Sequence, residues 1–238
     1  MHIPHVDKIF VCHHKPAAHR KERLQTLFKS NNIEVEWVES FLVEEIKDQY
    51  DNIIGIKDLF FDPKAQPVRQ NRYTYYPNAG RLVSYSELSL YLKQKYCWEQ
   101  QVLHGYKNII IFEDDIMLPV NFVEILSKAS IEFNEHPEKL DFAMLGTAFG
   151  FKPRNIQPNK LLHHENNLLT RCTHAMMFSL QAAPKILKHL YPVNWPIDFK
   201  LNEIIIQEHF KVAWMEPGFK EATEERLEKS CMARKFQK

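Results

Sequence analysis

Two kinds of apolar pattern run through the chain and predict a mixture of strands and helices. A continuous apolar run covers Lys8–His14 (KIFVCHH), and the amphipathic segment HRKERLQTLFKS that follows places Leu24 and Phe28 on one side of a helix. The short apolar segment Val35–Ser40 predicts a second strand. This order of strand, helix and strand favours a parallel sheet.

The longest predicted helix runs from Ser84 to Gly105. Ser84 and Glu87 have the spacing of a capping box, and Gly105 is a typical helix stop. Five large side chains are expected to form its inward stripe: Leu88, Tyr91, Leu92, Tyr96 and Leu103.

Strand and helix patterns alternate in the remainder of the chain, which predicts an α/β fold. The predicted strands are Asn108–Phe112, Asp141–Gly146, Arg171–Leu180 and Lys211–Met215. The predicted helices are Pro119–Phe133 and Gln181–Leu190, and PVNWPID after them reads as an irregular segment. Residues 41–81 follow neither pattern, and a loop of this length is usually functional or mobile. No repeat or linker divides the chain, so we predict a single domain over residues 1–238.

Composition narrows the function classes. The 238 residues are 45% apolar and 26% charged, as in ordinary globular proteins, and a net charge of +1 gives no reason to expect nucleic acid as a partner. No apolar run approaches the roughly 18 residues of a membrane span, and the first residues lack the order of a signal peptide. We therefore expect a soluble, cytoplasmic protein. The four cysteines contain no C-x-x-C, which predicts neither a disulfide framework nor a zinc knuckle.

Three consecutive carboxylates, Glu113, Asp114 and Asp115, follow the apolar strand in NIIIFEDDIMLP. Two like charges about 5 Å apart repel by roughly 3 kcal/mol at an effective dielectric near 20, so water or a cation must relieve them. In an extended segment Glu113 and Asp115 share one face, and Asp114 points to the other. Two hard oxygen donors suit Mn²⁺ or Mg²⁺, whereas an acidic turn facing solvent explains the triplet equally well.

The predicted α/β fold favours the interpretation of the triplet as a metal site over that of a solvent-facing turn, because open α/β sheets bind ligands beyond the carboxyl ends of their strands. The sequence has no P-loop, no dinucleotide-binding glycine motif and no nucleophile elbow. With only 6 glycines, a glycine-rich phosphate cradle is not expected. A bound cation is therefore the expected counter-charge for any phosphate.

The order of several motifs resembles glycosyltransferase family 25, which includes bacterial lipooligosaccharide galactosyltransferases and the sugar-transfer domains that act on collagen. The likeness extends from about Lys8 to Glu221. It rests on the opening KIFVCHHKPAAHRKERL with Arg20 and Arg23, on ELSLYL, on NIIIFEDDI, on CTHAMMFS and on PID.

The resemblance implies a GT-A-like fold with a central, mostly parallel sheet flanked by helices, a nucleotide-sugar donor and usually Mn²⁺. It also implies inversion at the anomeric carbon, commonly with UDP-galactose, and a glycan or lipooligosaccharide acceptor. Residues 1–120 would mainly bind the donor, 121–219 would form the acceptor side, and 220–238 are a charged tail. The chain departs from the family pattern at Lys93-Gln94, at Met176 and at EPGF, which affects the expected acceptor contacts.

Each polar group can be given a role in sugar transfer. We expect Glu113 and Asp115 to hold the metal, and Asp198 to act as the base that an inverting displacement needs. Glu203 and Glu87 are alternative bases. Asp198 has a competing interpretation as a helix N-cap.

The expected donor-binding residues complete the predicted site: His13, Arg20, Glu87, Asp114 and His174. Arg20 suits phosphate, although an exposed helix arginine is as common, and His174 also fits a satisfied core histidine. The tyrosines of RYTYYP, which are Tyr73, Tyr75 and Tyr76, could form an acceptor platform or simply pack within a loop. The group of His163, His164 and Glu165 lacks regular ligand spacing and is rejected as a metal site.

Two other function classes stay open from the sequence. A metal-dependent phosphohydrolase could use the same acidic cluster, and a non-catalytic glycan-binding relative would fit the departures from the family pattern. The basic end ARKFQK could approach the inner face of an anionic membrane, although a solvated terminal helix explains it as well.

Overall fold

A computed structural model describes residues 2–46, 83–146, 152–164, 172–191, 193 and 195–222. The tyrosines of RYTYYP, Glu165 and the basic end of the tail lie outside the described residues. Among the described residues no helix combines the length and the apolar character that crossing a membrane requires.

Eight strands and five helices occur in the described part of the chain. The strands are β1 (Lys8–Cys12), β2 (Glu36–Val38), β3 (Asn108–Glu113), β4 (Ile116–Met117), β5 (Phe142–Gly146), β6 (Leu162–His164), β7 (Ala175–Ser179) and β8 (Val212–Glu221). The helices are α1 (Ala18–Ser30), α2 (Tyr85–His104), α3 (Phe122–Glu135), α4 (Ala182–His189) and α5 (Ile197–Gln207).

The strands form one sheet in the order β2-β1-β3-β7-β5-β8-β4, with β6 paired to β8. The predicted α/β class with a central sheet flanked by helices is confirmed, but the sheet is not mostly parallel. Of the seven pairings among the described strands, three are parallel and four are antiparallel. β7 runs antiparallel between β3 and β5, and β8 pairs antiparallel with β4 and β6; apolar patterning does not reveal these reversals.

Apolar side chains of the central strands alternate between two cores, one on each face of the sheet. In β3, Ile109 and Ile111 belong to the core that α2, α4 and α5 cover. Ile110 and Phe112 belong to the opposite core, which α1 and α3 cover and which includes Leu24 and Phe28, as predicted. Both faces of β3 are therefore covered by apolar cores from Ile109 to Phe112. The strand ends at the polar residue Glu113, which is only partly buried.

The ends of α2 agree with the sequence prediction. The Ser84 hydroxyl accepts a hydrogen bond from the Glu87 backbone N–H, and the Glu87 carboxylate accepts one from the Ser84 backbone N–H at 2.8 Å. Gly105 ends the helix with φ of 66°, in the left-handed region.

The predicted inward stripe of α2 is wrong at Leu103, which is 72% exposed. The helix instead buries polar side chains along with its apolar ones, among them Lys93, Gln94 and Gln101. One of these buried polar side chains, Gln94, connects the helix through Thr173 to Glu113 at the acidic end of β3.

The late strand β8 is longer than predicted and reaches the acidic segment. Its end pairs with β4, so that Ile116 lies opposite Glu221 and Met117 lies opposite Lys220. Residues far apart in sequence are thereby brought to the same edge of the sheet.

The segment PVNWPID is also not wholly irregular, because α5 begins at Ile197.

Candidate functional site

The acidic triplet crosses from a strand into a turn. Glu113 is the last residue of β3, and Asp114 and Asp115 form the turn that leads into β4. The prediction that an extended strand would place Glu113 and Asp115 on one face is therefore wrong in its geometry. The two carboxylates nonetheless interact, because the charge of Asp115 raises the pKa of Glu113.

Asp114 is buried and fully engaged by groups from the first strand and helix. One carboxylate oxygen lies 2.7 Å from His13 Nδ1 and accepts a hydrogen bond from the His14 backbone N–H at 2.7 Å. The other accepts one from an Arg20 guanidinium N–H at 2.8 Å. Asp114 thus ties the turn to the end of β1 and to α1.

Two arginines on α1 face this turn. Arg20 Nη1 lies 3.7 Å from Asp115 Oδ2 in addition to its bond with Asp114. Arg23 donates to the backbone carbonyl of Ile116 at 2.8 Å. Partial burial opposes the charge of Arg20, but the hydrogen bond and charge of Asp114 outweigh it and raise the pKa of Arg20.

Glu113 is held from the opposite side by a chain of side chains. The Thr173 hydroxyl donates to Glu113 Oε1 at 2.6 Å, and Gln94 Nε2 donates to Thr173 Oγ1 at 2.9 Å. Sequence reasoning missed both roles. Thr173 lies within the CTHAMMFS motif, which could have identified it, whereas Gln94 stands out in the sequence only as a departure from the family pattern.

The environment of Glu113 and Asp115 disfavours their negative charges. Desolvation raises the pKa of Glu113 to about 8, with further contributions from the charges of Asp115, Glu221 and Asp198, and the Thr173 hydrogen bond opposes them. Desolvation also raises the pKa of Asp115, and the charge of Asp114 adds to this while Arg20 and His174 oppose it. The described surroundings therefore do not offset the negative charges that Glu113 and Asp115 carry when they are ionised.

His174 lies beside this carboxylate group and is fully buried. Its Nε2 lies 3.0 Å from the carbonyl oxygen of Phe219, and its charge acts on Asp115. The ring fits because residue 146 is a glycine: a Cβ at Gly146 would come within 2.2 Å of His174 Nε2.

Asp198 lies close enough to Glu113 for its charge to raise the pKa of Glu113. It is half-buried in the first turn of α5, where its Oδ1 accepts a hydrogen bond from the Phe199 backbone N–H at 2.9 Å. The competing interpretation of Asp198 as the helix N-cap is wrong, because Pro196 occupies that position.

Glu203 and Glu87 have their described contacts elsewhere. Glu203 Oε2 lies 3.4 Å from Lys200 Nζ, and its charge contributes to the raised pKa of the buried Tyr91. Glu87 uses its carboxylate in the capping box of α2. Their roles as alternative bases or donor contacts stay predictions.

Three of the positions at which the chain departs from the family pattern are buried, namely Lys93, Gln94 and Met176, whereas EPGF includes the exposed Pro217. Lys93 is buried, its Nζ donates to Ser89 Oγ at 2.8 Å, and burial lowers its pKa. Met176 is buried in β7 between β3 and β5. Gln94 belongs to the hydrogen-bonded chain that reaches Glu113 through Thr173, so this departure lies directly behind the acidic triplet.

The pattern of a known family matches most of the chain. The sequence profile described as glycosyltransferase family 25 (LPS biosynthesis protein) matches residues 6–201. The chain belongs to glycosyltransferase family 25. The family is one of glycosyltransferases, and its description connects it with LPS biosynthesis. Its α/β architecture agrees with the GT-A-like fold that the resemblance implied.

Comparison with curated protein sequences gave no significant match. Among solved structures, the chain is similar to a glycosyltransferase involved in the glycosylation of the major capsid of PBCV-1. The TM-score is 0.34 at 11% identity, and the alignment covers 76% of this chain and 64% of the other.

The raised pKa of Glu113 gives a prediction for stability against pH without divalent ions. Between pH about 4.5 and about 8 the folded protein holds a proton on Glu113 that the unfolded chain releases, so this group lowers the free energy of unfolding as pH rises. A Glu113→Gln variant should lack that contribution and gain stability relative to wild type as pH increases. Urea denaturation of both proteins across this range measures the difference.

The matched control is Glu124→Gln, which removes an exposed carboxylate on α3. It should follow the wild-type pH dependence. If Glu113→Gln also follows it, then the pKa of Glu113 is not raised.

Proposed function

We propose that this family-25 enzyme is a metal-dependent, inverting hexosyltransferase that moves galactose from UDP-galactose to a lipooligosaccharide or related glycan. The observation that supports the proposal most strongly is the gathering of Glu113, Asp115, Asp198 and Glu221 around the end of β3. Desolvation, with repulsion from Asp115, Glu221 and Asp198, raises the pKa of Glu113 to about 8. Such a perturbed group of carboxylates is typical of a functional site.

The residues at this edge fit a divalent cation. Glu113 and Asp115 offer hard oxygen donors, which Mn²⁺ and Mg²⁺ prefer, and a doubly charged ion would relieve the repulsion between them. When bound there, the ion would act as a Lewis acid toward the oxygens of a diphosphate leaving group. Asp114 is unsuited to this role because both of its oxygens already accept hydrogen bonds.

We assign Asp114 to positioning. Its carboxylate accepts a hydrogen bond from one guanidinium nitrogen of Arg20, and the side chain of Arg20 is 37% exposed. The remaining N–H groups of the guanidinium can bind phosphate oxygens, for which its planar fork is well suited. Asp114 also fixes the imidazole of His13 and the backbone of His14 at the end of β1, near the expected position of the nucleotide.

We assign the general base to Asp198. An inverting displacement needs a carboxylate that accepts the proton of the acceptor hydroxyl as that oxygen attacks the anomeric carbon. Asp198 is near Glu113 but comes from a different element, α5, so a substrate could lie between the two carboxylates. A lipid-linked acceptor would bring the enzyme to the inner face of a membrane.

An Asp115→Asn variant tests the metal assignment. We expect it to fold normally, to lose the thermal stabilisation that UDP-galactose gives in the presence of Mn²⁺, and to transfer sugar at least about 100-fold more slowly, because several kcal/mol of charge stabilisation would be removed. Glu124→Gln is the matched control and should behave as wild type. Transfer by Asp115→Asn at the wild-type rate would contradict the assignment.

An Asp198→Asn variant tests the base. Transfer should fall by roughly 10²–10⁴-fold, while UDP-galactose and Mn²⁺ still raise the melting temperature as in wild type, because donor binding does not need the base. Glu203→Gln is the parallel variant for the alternative base. If transfer survives Asp198→Asn and is lost in Glu203→Gln, then the assignment of the base is wrong.

A further inference from the structure

Three side chains of different chemistry converge beside the carboxylate group. A ligand atom from each of Cys172, His174 and Glu221 lies within 4.8 Å of the other two. No motif in the sequence predicts this group, because Glu221 follows His174 by nearly fifty residues and the group contains no C-x-x-C. Proximity of a thiol, an imidazole and a carboxylate is the arrangement from which transition-metal sites are built.

Strand pairing fixes where these side chains lie. Cys172 and His174 flank Thr173 just before β7, and β7 pairs with β3. Glu221 ends β8 and pairs with Ile116 in β4. The three ligands therefore come from two chain segments that are each anchored to the strands on either side of the acidic turn.

His174 is oriented as a metal ligand would be. Its Nε2 lies 3.0 Å from the carbonyl oxygen of Phe219, a group that can only accept, so Nε2 carries a proton, and in the neutral ring that metal binding requires Nδ1 carries the lone pair. Histidines that bind metals commonly donate their other N–H to a backbone carbonyl in this way. Phe219 precedes Glu221 by two residues on β8, and Gly146 provides the space for the ring.

We propose that Cys172, His174 and Glu221 form a second metal site, which binds a borderline ion of the Zn²⁺ class. Sulfur and imidazole ligands favour Zn²⁺ or Co²⁺ over Mn²⁺ and Mg²⁺, which Glu113 and Asp115 suit. Three protein ligands leave at least one tetrahedral position for water or substrate. Binding would transfer the thiol proton of Cys172 to solvent.

The proposed ion would act directly on the sugar-transfer site. Cys172 and His174 flank Thr173, whose hydroxyl donates to Glu113 Oε1 at 2.6 Å, and Glu221 ends the strand that pairs with Ile116 beyond the acidic turn. A cation at the second site would therefore offset part of the negative charge at the end of β3. The proposal does not depend on sugar transfer, because it rests on the ligand group alone.

Cobalt substitution tests the site with a readout that thiolate ligation alone provides. Co²⁺ added to chelator-treated protein should give a sulfur-to-cobalt charge-transfer band in the near ultraviolet and intense visible bands of tetrahedral Co²⁺. Zn²⁺ should remove these bands at equal concentration, because it binds such ligands more tightly than Co²⁺, and Mn²⁺ should not.

Variants assign the band to its ligands. Cys172→Ser should abolish it, and so should Cys172→Gly, which suits the backbone at this position because φ of Cys172 is 65°. Cys97→Ala removes a buried thiol on α2 and should keep the band, as should Asp115→Asn. Glu221→Gln should weaken Co²⁺ binding by at least about 10-fold, within the usual effect of a lost ligand interaction.

The proposal is overturned if wild-type protein gives no charge-transfer band, or if the band persists in folded Cys172→Ser and Cys172→Gly. Both measurements are made without donor or acceptor. Loss of the cobalt band would therefore leave the assignment of sugar transfer unaffected, and failure of sugar transfer would leave the cobalt result unaffected.

Discussion

The structure depends on the crowding of carboxyl groups at the end of β3 and on the negative charge that they carry when ionised. The strand is dry on both faces until Glu113, where desolvation and neighbouring carboxylates raise the pKa of that residue to about 8. Arg20 balances only part of this charge. Several elements meet here. Asp114 bonds to residues of β1 and α1, and Gln94 of α2 reaches Glu113 through Thr173. Asp198 of α5 and Glu221 of β8 act on Glu113 through their charges.

Neighbouring carboxylates in the triplet have opposite surroundings, which is why the proposed function gives them separate roles. Asp114 is buried but surrounded by donors, so its charge is satisfied and it fixes the turn. Glu113 and Asp115 are desolvated beside like charges, so their ionised forms are costly until a cation arrives. Different environments for adjacent acids commonly distinguish structural from chemical roles in active sites.

Local patterns predicted most elements of this fold but not β4, β6 or α5, and they did not predict the long-range pairing of the strands. Apolar spacing identified β1, β3 and the buried side of α1, and the capping box of α2 followed from the spacing of Ser84 and Glu87. The antiparallel course of β7 was not predictable, because alternation carries no information about strand direction. The hydrogen bonds of Asp114 and the proximity of Glu221 to Glu113 join residues about a hundred positions apart, which no sequence motif encodes. The exposure of Leu103 shows that helical spacing alone does not decide which apolar residues are buried.

The central claim is that Glu113 and Asp115 hold a divalent cation against the diphosphate of a nucleotide sugar. Anomalous diffraction from crystals grown with Mn²⁺ and UDP tests it most directly, because it locates manganese independently of any assay. The account predicts one strong manganese peak that contacts both carboxylates and the UDP diphosphate. A manganese peak away from both carboxylates, or well-ordered UDP at this edge with no manganese beside it, would contradict the account.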